Sequence, residues 1–491
     1  MAIRLSGLNS GLDTDTIVSE LIKAQSTKVD KYTKAQTKLS WKQDAWKTLN
    51  SKIYSMYTKL GNLRLSSGYN LKTSSVSDTT KATVTASSNA PSSTQTLEIS
   101  QLAKAGYLTG SKLETAATGT STLGALGFTG SETITVNIGE GASTTDITVD
   151  ETTTINSLVA QLKSAGLSAS FDESSQRFFI ASSETGAAKN FTLSSTGSGT
   201  GSAMDLLGLS SGTKIEGQDA QILLNGASFS SSTNQFSING LTINALAETT
   251  GAVTVATTTD TQGIYDKIKD FISSYNDIIN EMTSLYNADS SKGYEPLTDD
   301  EKDAMSDTEI AEWEKKIKDS LLRRDDTLGN ILNTMKTSMF SSFTGANGKT
   351  YSLSSFGIST LGVLIAEDNE ENAFHIDGDS GDDDTSGKAD KLLSALATNP
   401  DSVIDFMKQL SSDLYSKIGD KMKSTTLSSA MTVYNDKQMT NEYTNYSKMI
   451  SKWQEKVSDM EDYYYKKFSA METALANLQS QQSALSGLLG S

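Results

Sequence analysis

Apolar residues recur in alternating steps of four and three at both ends of the chain, whereas the interior carries short alternating runs set among Ser, Thr and Gly. Near the start Val18, Ile22, Gln25, Val29, Tyr32, Gln36 and Leu39 keep that step, and Leu49, Ile53, Met56, Leu60 and Leu63 resume it after a slip around Trp46. Near the other end Tyr443, Tyr446, Ile450, Trp453, Val457 and Met460 keep step. After one stutter Tyr464, Phe468, Met471, Leu475, Leu478, Gln482, Leu485 and Leu489 continue it. Such a repeat holds one apolar stripe toward a partner helix, and slips change the winding without ending the helix. Asp13 or Thr14 suits the first N-cap, with Asp15 favourable in the first turn. Two amphipathic core helices of an ordinary bundle meet the same periodicity. Gln25 and Gln36 on the seam favour a weak or conditional partner, because a buried amide is costly unless paired.

From about residue 73 to 260 the runs are β-type: 81–86, 96–99, 134–138 and 253–255 read as half-buried strands between turn residues. Within that block 154–162 reads as a short helix with Thr154 or Asn156 near its start. It is followed by strands at 167–171 and 177–181 around an Asp-Glu-Ser-Ser turn. The Gly/Ser/Thr stretch 194–203 reads as a loop or linker, and runs at 221–226 and 236–243 close the block. Helix returns with Ile264, Ile268, Phe271, Tyr275, Ile278, Met282 and Leu285, then as one region over about 307–343, then after Asn399-Pro400-Asp401, where Pro400 suits a helix start. The predicted fold is therefore α+β and multidomain, with paired terminal coiled-coil helices, a helical bundle body and β-rich domains inserted between them. The expected divisions are 1–45 with 445–491 (terminal pair), 46–72 with 261–444 (helical body), 73–105 with 217–260 (β-rich head), and 106–216 (an α+β insert).

Composition removes several function classes. The formal net charge is -17 with no Lys/Arg cluster, so a phosphate backbone is repelled and no nucleic-acid partner is expected. There is no cysteine, which excludes disulfides and thiolate chemistry, and the one histidine, His375, cannot form a two-histidine metal site within one chain. No run approaches the roughly 20 apolar residues that span a bilayer. The expectation is a soluble protein without a membrane partner, and residues 1–15 lack the apolar core of a cleaved secretory signal.

Chemistry-bearing motifs are scarce. Gly348-Lys349-Thr350 lacks the glycine a phosphate-binding loop needs at the position of Phe343, and Gly197, Gly199 and Gly201 have neither a clear preceding strand nor a basic companion, so they read as a flexible turn. The acidic stretch 367–384 holds Asp377, Asp379, Asp382, Asp383 and Asp384. Gly381 and Asp382 stand where an EF-hand loop needs a ligand and a glycine, so the stretch reads as a solvated mobile loop. His375 reads as structural. No catalytic residue, metal or cofactor is expected, and the chain is not expected to be an enzyme.

The segment Gly7-Leu8-Asn9-Ser10-Gly11-Leu12-Asp13-Thr14-Asp15-Thr16-Ile17-Val18-Ser19-Glu20-Leu21 resembles the opening of the bacterial flagellar filament cap family (FliD, or hook-associated protein 2), a Gly-Leu-x-Ser-Gly-Leu-Asp signature before an Ile-Val-x-x-Leu helix. Phe271-Ile272-Ser273-Ser274-Tyr275-Asn276, Leu353-Ser354-Ser355-Phe356-Gly357-Ile358 and Asn399-Pro400-Asp401-Ser402-Val403 extend the likeness. So does the stretch from Phe468 to Gln481, where Met471 and Gln479 replace the family's usual Leu and Asn. The region around Thr154-Ile155-Asn156-Ser157-Leu158 looks like an insert shared by flagellin and hook-associated proteins.

The resemblance implies a secreted protein at the distal tip of the flagellar filament, exported by the flagellar type III route. It implies a ring-shaped homo-oligomer, with a pentamer the expected form, that promotes folding and incorporation of flagellin. Flagellin, hook-filament junction proteins and a cytoplasmic export chaperone are the implied partners. It assigns the filament and partner contact to a leg made of Leu8, Leu12, Ile17, Val18, Leu21, Ile22, Val29, Tyr32 and Leu39 with Phe468, Met471, Leu475, Leu478, Leu485 and Leu489. Two alternatives stay open: a flagellin-like filament or hook-filament junction subunit, and a surface adhesin binding host glycans through the head.

Overall fold

Asp13 sets the start of the first long helix: its carboxylate accepts from the Thr16 N–H at 3.0 Å and the Thr16 hydroxyl at 2.6 Å. In the computed structural model, which describes residues 11–139, 144–198 and 201–489, helix α1 then runs over Thr14–Leu63. The chain divides into two compact units, residues 70–260 and the remainder on either side of them.

Residues 70–260 form antiparallel β structure around two separate apolar clusters. One cluster joins the five-stranded sheet β1-β15-β3-β11-β12 to the three-stranded sheet β13-β14-β2. Its strands are β1 (Lys72–Val76), β2 (Ala82–Ala86), β3 (Ser93–Gln101), β11 (Ala220–Leu224), β12 (Ala227–Ser231), β13 (Gln235–Ile238), β14 (Leu241–Ala245) and β15 (Val253–Thr259). Buried Val84, Leu97, Ile99, Ile222, Ile243 and Val255 alternate with exposed or half-buried neighbours, as strands with one dry face require. The run expected at 236–243 is in fact a hairpin: Asn239 (φ 47°) and Gly240 (φ 81°) turn the chain between β13 and β14. An Asn-Gly pair does so because both central residues of this tight turn need positive φ.

The second cluster lies inside residues 108–209. Around it stand β4 (Tyr107–Thr109), β5 (Ser131–Ile138), β6 (Thr144–Asp150), β7 (Leu167–Asp172), β8 (Arg177–Ser182) and β9 (Phe191–Ser198), with helices α2 (Ile155–Ser164) and α3 (Ala203–Leu206), while the exposed β10 (Thr213–Ile215) pairs with β4 at the sheet edge. Thr154 caps α2, accepting from the Ser157 N–H at 3.2 Å. The turn between β7 and β8 is fixed by Asp172, whose carboxylate accepts from the hydroxyls and N–H groups of Ser174 and Ser175. Those bonds hold its pKa down to about 2. The linker expected at 194–203 is largely strand β9, paired with β5 from Phe191↔Ile138 to Ser198↔Ser131. Gly197 belongs to that ladder opposite Glu132, so the glycine run is not a free turn there; Gly199 lies outside the described residues.

Flanking helices assemble the other unit. They are α4 (Thr261–Asn287), α5 (Asp299–Asp303), α6 (Asp307–Asp319), α7 (Asp326–Met339), α8 (Lys391–Thr398), α9 (Pro400–Lys421) and α10 (Asp436–Leu489). Leu49, Ile53, Met56 and Leu60 of α1 are buried, as are Phe406, Leu410, Leu414 and Ile418 of α9, which packs against α1 and α7. The single helical region expected at 307–343 is two helices. Arg324 turns left-handed (φ 51°), and Asp325 starts α7 by accepting from the N–H groups of Thr327 at 2.9 Å and Leu328 at 3.2 Å.

The acidic stretch 367–384 is not a solvated loop. Asp377 is buried against Lys388 at 3.2 Å and Lys391 at 3.4 Å, Asp379 meets Lys269 at 2.6 Å, and Asp382 meets His375 Nδ1 at 2.7 Å. Burial alone would raise the Asp379 pKa, but the Lys269 ammonium and the Gly381 N–H hold it below the usual carboxylate range. Among the described residues no helix is long and apolar enough to cross a membrane.

Candidate partner-binding surface: the paired terminal helices

Helices α1 and α10 run antiparallel. Gln36 Nε2 donates to the Tyr443 carbonyl at 3.3 Å and the Ser447 hydroxyl at 2.6 Å, the Tyr32 and Tyr446 rings lie 6.3 Å apart, and Lys28 Nζ sits 4.2 Å from the Trp453 ring centre. The seam amide at Gln36 is thus paired, which removes most of its burial cost. Gln25 remains exposed beside Trp453 and Met460. Asp13, held below the usual carboxylate range by its bonds to Thr16, places a negative charge on the positive end of α1.

Along the outer half of the pair the apolar residues are unequally covered. Val18 is 1% exposed and closes the seam, so it faces no outside partner while the helices are paired. Ile17, Ile22, Val29, Tyr32, Leu39, Phe468, Met471 and Leu475 are half-buried, and Leu12 and Leu21 are exposed. Leu478 and Leu485 are 61% and 60% exposed. The register that sets Lys28 against Trp453 brings Thr14 opposite the neighbourhood of Phe468, so those two leucines extend past the start of α1. Leu8 and the side chain of Leu489 lie outside the described residues.

The slip around Trp46 has a structural cause. Trp46 is buried and stacks on Tyr434, ring centres 5.4 Å apart and 8° from parallel, while Asn50 holds both the Met431 carbonyl at 3.2 Å and the Val433 N–H at 2.9 Å. Inward of this point α1 meets α9 and the segment joining α9 to α10, and outward of it α1 meets α10 itself.

Sequence reasoning missed a second set of contacts to α1. Lys34 pairs with Glu301 at 2.7 Å, Lys42 with Asp325 at 2.8 Å, and Lys318 lies 4.6 Å from the Trp41 ring centre. The Lys34 ammonium, with the Thr298 N–H, holds the Glu301 carboxyl below its usual range. Two Ser/Thr-x-x-Glu capping boxes, Thr298 with Glu301 and Ser306 with Glu309, start α5 and α6 and were the available signal. A cleft of about 1000 Å³ lies between the Lys23–Lys38 face of α1 and residues 295–304.

Donor atoms of His375, Asp382 and Asp384 lie within 4.8 Å of one another. The His375–Asp382 hydrogen bond accounts for the closeness of those two, and Asp384 stays exposed beside them.

Family models described as the N-terminus and the C-terminus of flagellar hook-associated protein 2 match residues 10–106 and 217–480. A flagellar hook-associated protein 2 of Halalkalibacterium halodurans is 26% identical over 98% of this chain and 99% of its own length. One from Thermotoga maritima is 27% identical over 70% of this chain and 53% of its own length. A crystal structure of the D1-D2-D3 domains of the Escherichia coli flagellar cap protein FliD covers 76% of this chain and 96% of that one, with 20% identity and a TM-score of 0.49.

Proposed function

The chain belongs to the flagellar hook-associated protein 2 family, and from that premise we propose that it caps the growing bacterial flagellar filament. In this reading several copies form a ring at the distal tip. Flagellin arrives unfolded, folds in contact with the ring and joins the lattice, and the ring then advances. The role is one of binding and assembly rather than covalent chemistry.

The observation that carries this reading is the uneven coverage of the α1–α10 pair. A moving cap must hold each lattice position and then release it, so its contact surface has to be modest. Val18 and the paired amide of Gln36 keep the two helices together. Leu12, Leu21, Leu478 and Leu485 leave a few exposed apolar side chains, each worth about 1.5–3 kcal/mol if fully covered. Four such contacts hold, yet exchange. Before export Leu478 and Leu485 are an aggregation hazard, which suits a chaperone that covers the end of α10 in the cytoplasm.

A strain lacking the protein is expected to release monomeric flagellin into the medium, and normal filaments in that strain would overturn the assignment. Restoring the strain with a chain lacking residues 1–40 should not restore filaments although residues 70–260 stay folded. Full restoration would remove the terminal pair from the mechanism.

A further inference from the structure

Between the short strand Ile358–Ser359 and its partner His375–Ile376 the chain projects three consecutive aliphatic side chains into solvent. Val363 is 82%, Leu364 100% and Ile365 70% exposed. Together they present roughly 300 Å² of apolar surface, the size of patch that on a monomer is often functional.

The turn is held in place. Gly362, at φ +85°, lets its carbonyl accept from the N–H groups of Ile365 at 3.1 Å and Ala366 at 3.0 Å. Three asparagines on one face of α4 then tie down the chain that follows. Asn287 donates to the Asn369 side chain at 3.3 Å, Asn280 donates to Glu370 at 3.4 Å, and Asn276 exchanges two 2.8 Å bonds with the Phe374 backbone. Four carboxylates, Glu367, Asp368, Glu370 and Glu371, follow the apolar tip within six residues of sequence, the first two of them exposed.

A second exposed apolar pair, Leu427 and Met431, lies in the segment joining α9 to α10. Its rim is basic. Lys437 Nζ donates to the Thr425 carbonyl at 3.0 Å, and the Met431 N–H bonds to Met422, which stands between exposed Lys421 and Lys423. Of the two acids nearest in sequence, Asp420 is paired with Lys423 at 2.6 Å and Asp436 accepts from the Ser429 N–H at 2.6 Å.

The two patches sit at one level of α1 and on opposite flanks. Asn50 binds the Met431 carbonyl, while α4 meets α1 through Glu281 with Lys52 at 2.6 Å and Ser274 with Lys59 at 2.9 Å. At about 100° per residue, Trp46 and Asn50 point about 150° away from Lys52 and Lys59. Helix α4 runs antiparallel to α1, so the asparagines from 280 to 287 fall beside the same turns of α1 that hold Met431.

A head-to-tail ring needs two different, complementary patches on opposite flanks at one height. We propose that the turn 363–365 of one copy docks on Leu427 and Met431 of the next copy around the ring. This inference rests on the ring reading above. The contact is far below the ~800 Å² per partner typical of a stable pair, so it serves as an anchor that holds when the closed ring grips each copy from both sides.

The test uses full-length chains, which contain no cysteine of their own. Leu364→Cys and Met431→Cys proteins, mixed and oxidised, should give a cross-linked heterodimer, and the double variant a ladder up to the closed ring. Rings visible by electron microscopy without that cross-link, or equal Leu364→Cys self-linking, would overturn the proposal. Leu364→Glu should leave melting unchanged, since the side chain is wholly exposed, and raise the concentration for half-assembly of rings at least about tenfold. Intact rings with lost filament growth would show that the knob meets flagellin instead, and would also overturn it. If the unmodified protein forms no rings, the ring reading itself fails, and that result is distinct from a missing cross-link.

Discussion

Replacing Trp46 by alanine tests whether the point where α1 changes partners is what holds the outer helices to the rest of their unit. The side chain is buried, stacked on Tyr434 and one turn from Asn50, which pins the segment leading into α10. Truncating a buried tryptophan costs about 3–5 kcal/mol, a figure that includes the aromatic stack. For a unit of this size each kcal/mol lowers the midpoint by about 2 °C, so Trp46→Ala should lower its transition by about 8 °C. All four tryptophans, Trp41, Trp46, Trp313 and Trp453, lie outside residues 70–260. Fluorescence of the remaining three therefore follows one unit, while calorimetry records both. The calorimetric transition not seen by fluorescence should stay where it is. A fall of less than about 2 °C, or an equal fall in both transitions, would refute the reasoning.

Two further outcomes are expected. Gly240→Ala should destabilise residues 70–260 by about 2 kcal/mol and leave tryptophan fluorescence melting unmoved, because φ is +81° there and a Cβ would stand 2.8 Å from Ser87 Oγ; this is checked by comparing calorimetry with fluorescence. Glu301 is held below its usual range by Lys34, so its stabilising effect is complete at neutral pH and is lost as pH falls through the carboxylate range, below about pH 4. Amide protection of α5 should disappear in that window, and Glu301→Gln should mimic it at pH 7; unchanged protection in that variant would count against the clasp on α1.

The terminal helices were legible because their apolar stripe is long and resumes after each slip, the Asp13 and Thr154 starts because a short polar side chain suits the position before an apolar run, and the start after Asn399 because Pro400 fits the first turn. What sequence hid was decided by distant partners. Residues 194–198 look like a linker by composition, yet Glu132 and its neighbours on β5 supply a ladder that makes them a strand. The break at Arg324 and Asp325 is invisible in the apolar spacing of Leu321 and Leu328. The carboxylates of 367–384 look solvated until Lys269, Lys388 and Lys391 are brought beside them. At the candidate surface the seam was readable, but which of its residues stay uncovered depends on how far α10 outruns α1, a matter of register between two distant helices.

The bond between Gln36 and Ser447 joins positions 411 residues apart. Whichever end of the chain emerges first, from a ribosome or from a narrow conduit, the α1–α10 pair cannot close until almost every residue has appeared. Residues 70–260, whose strands pair among themselves, suffer no such delay. The order of events is thus written into the connectivity: contacts of the greatest loop length form last. Under the capping role proposed above, an exported chain would travel with its gripping surface unmade and complete it only on arrival.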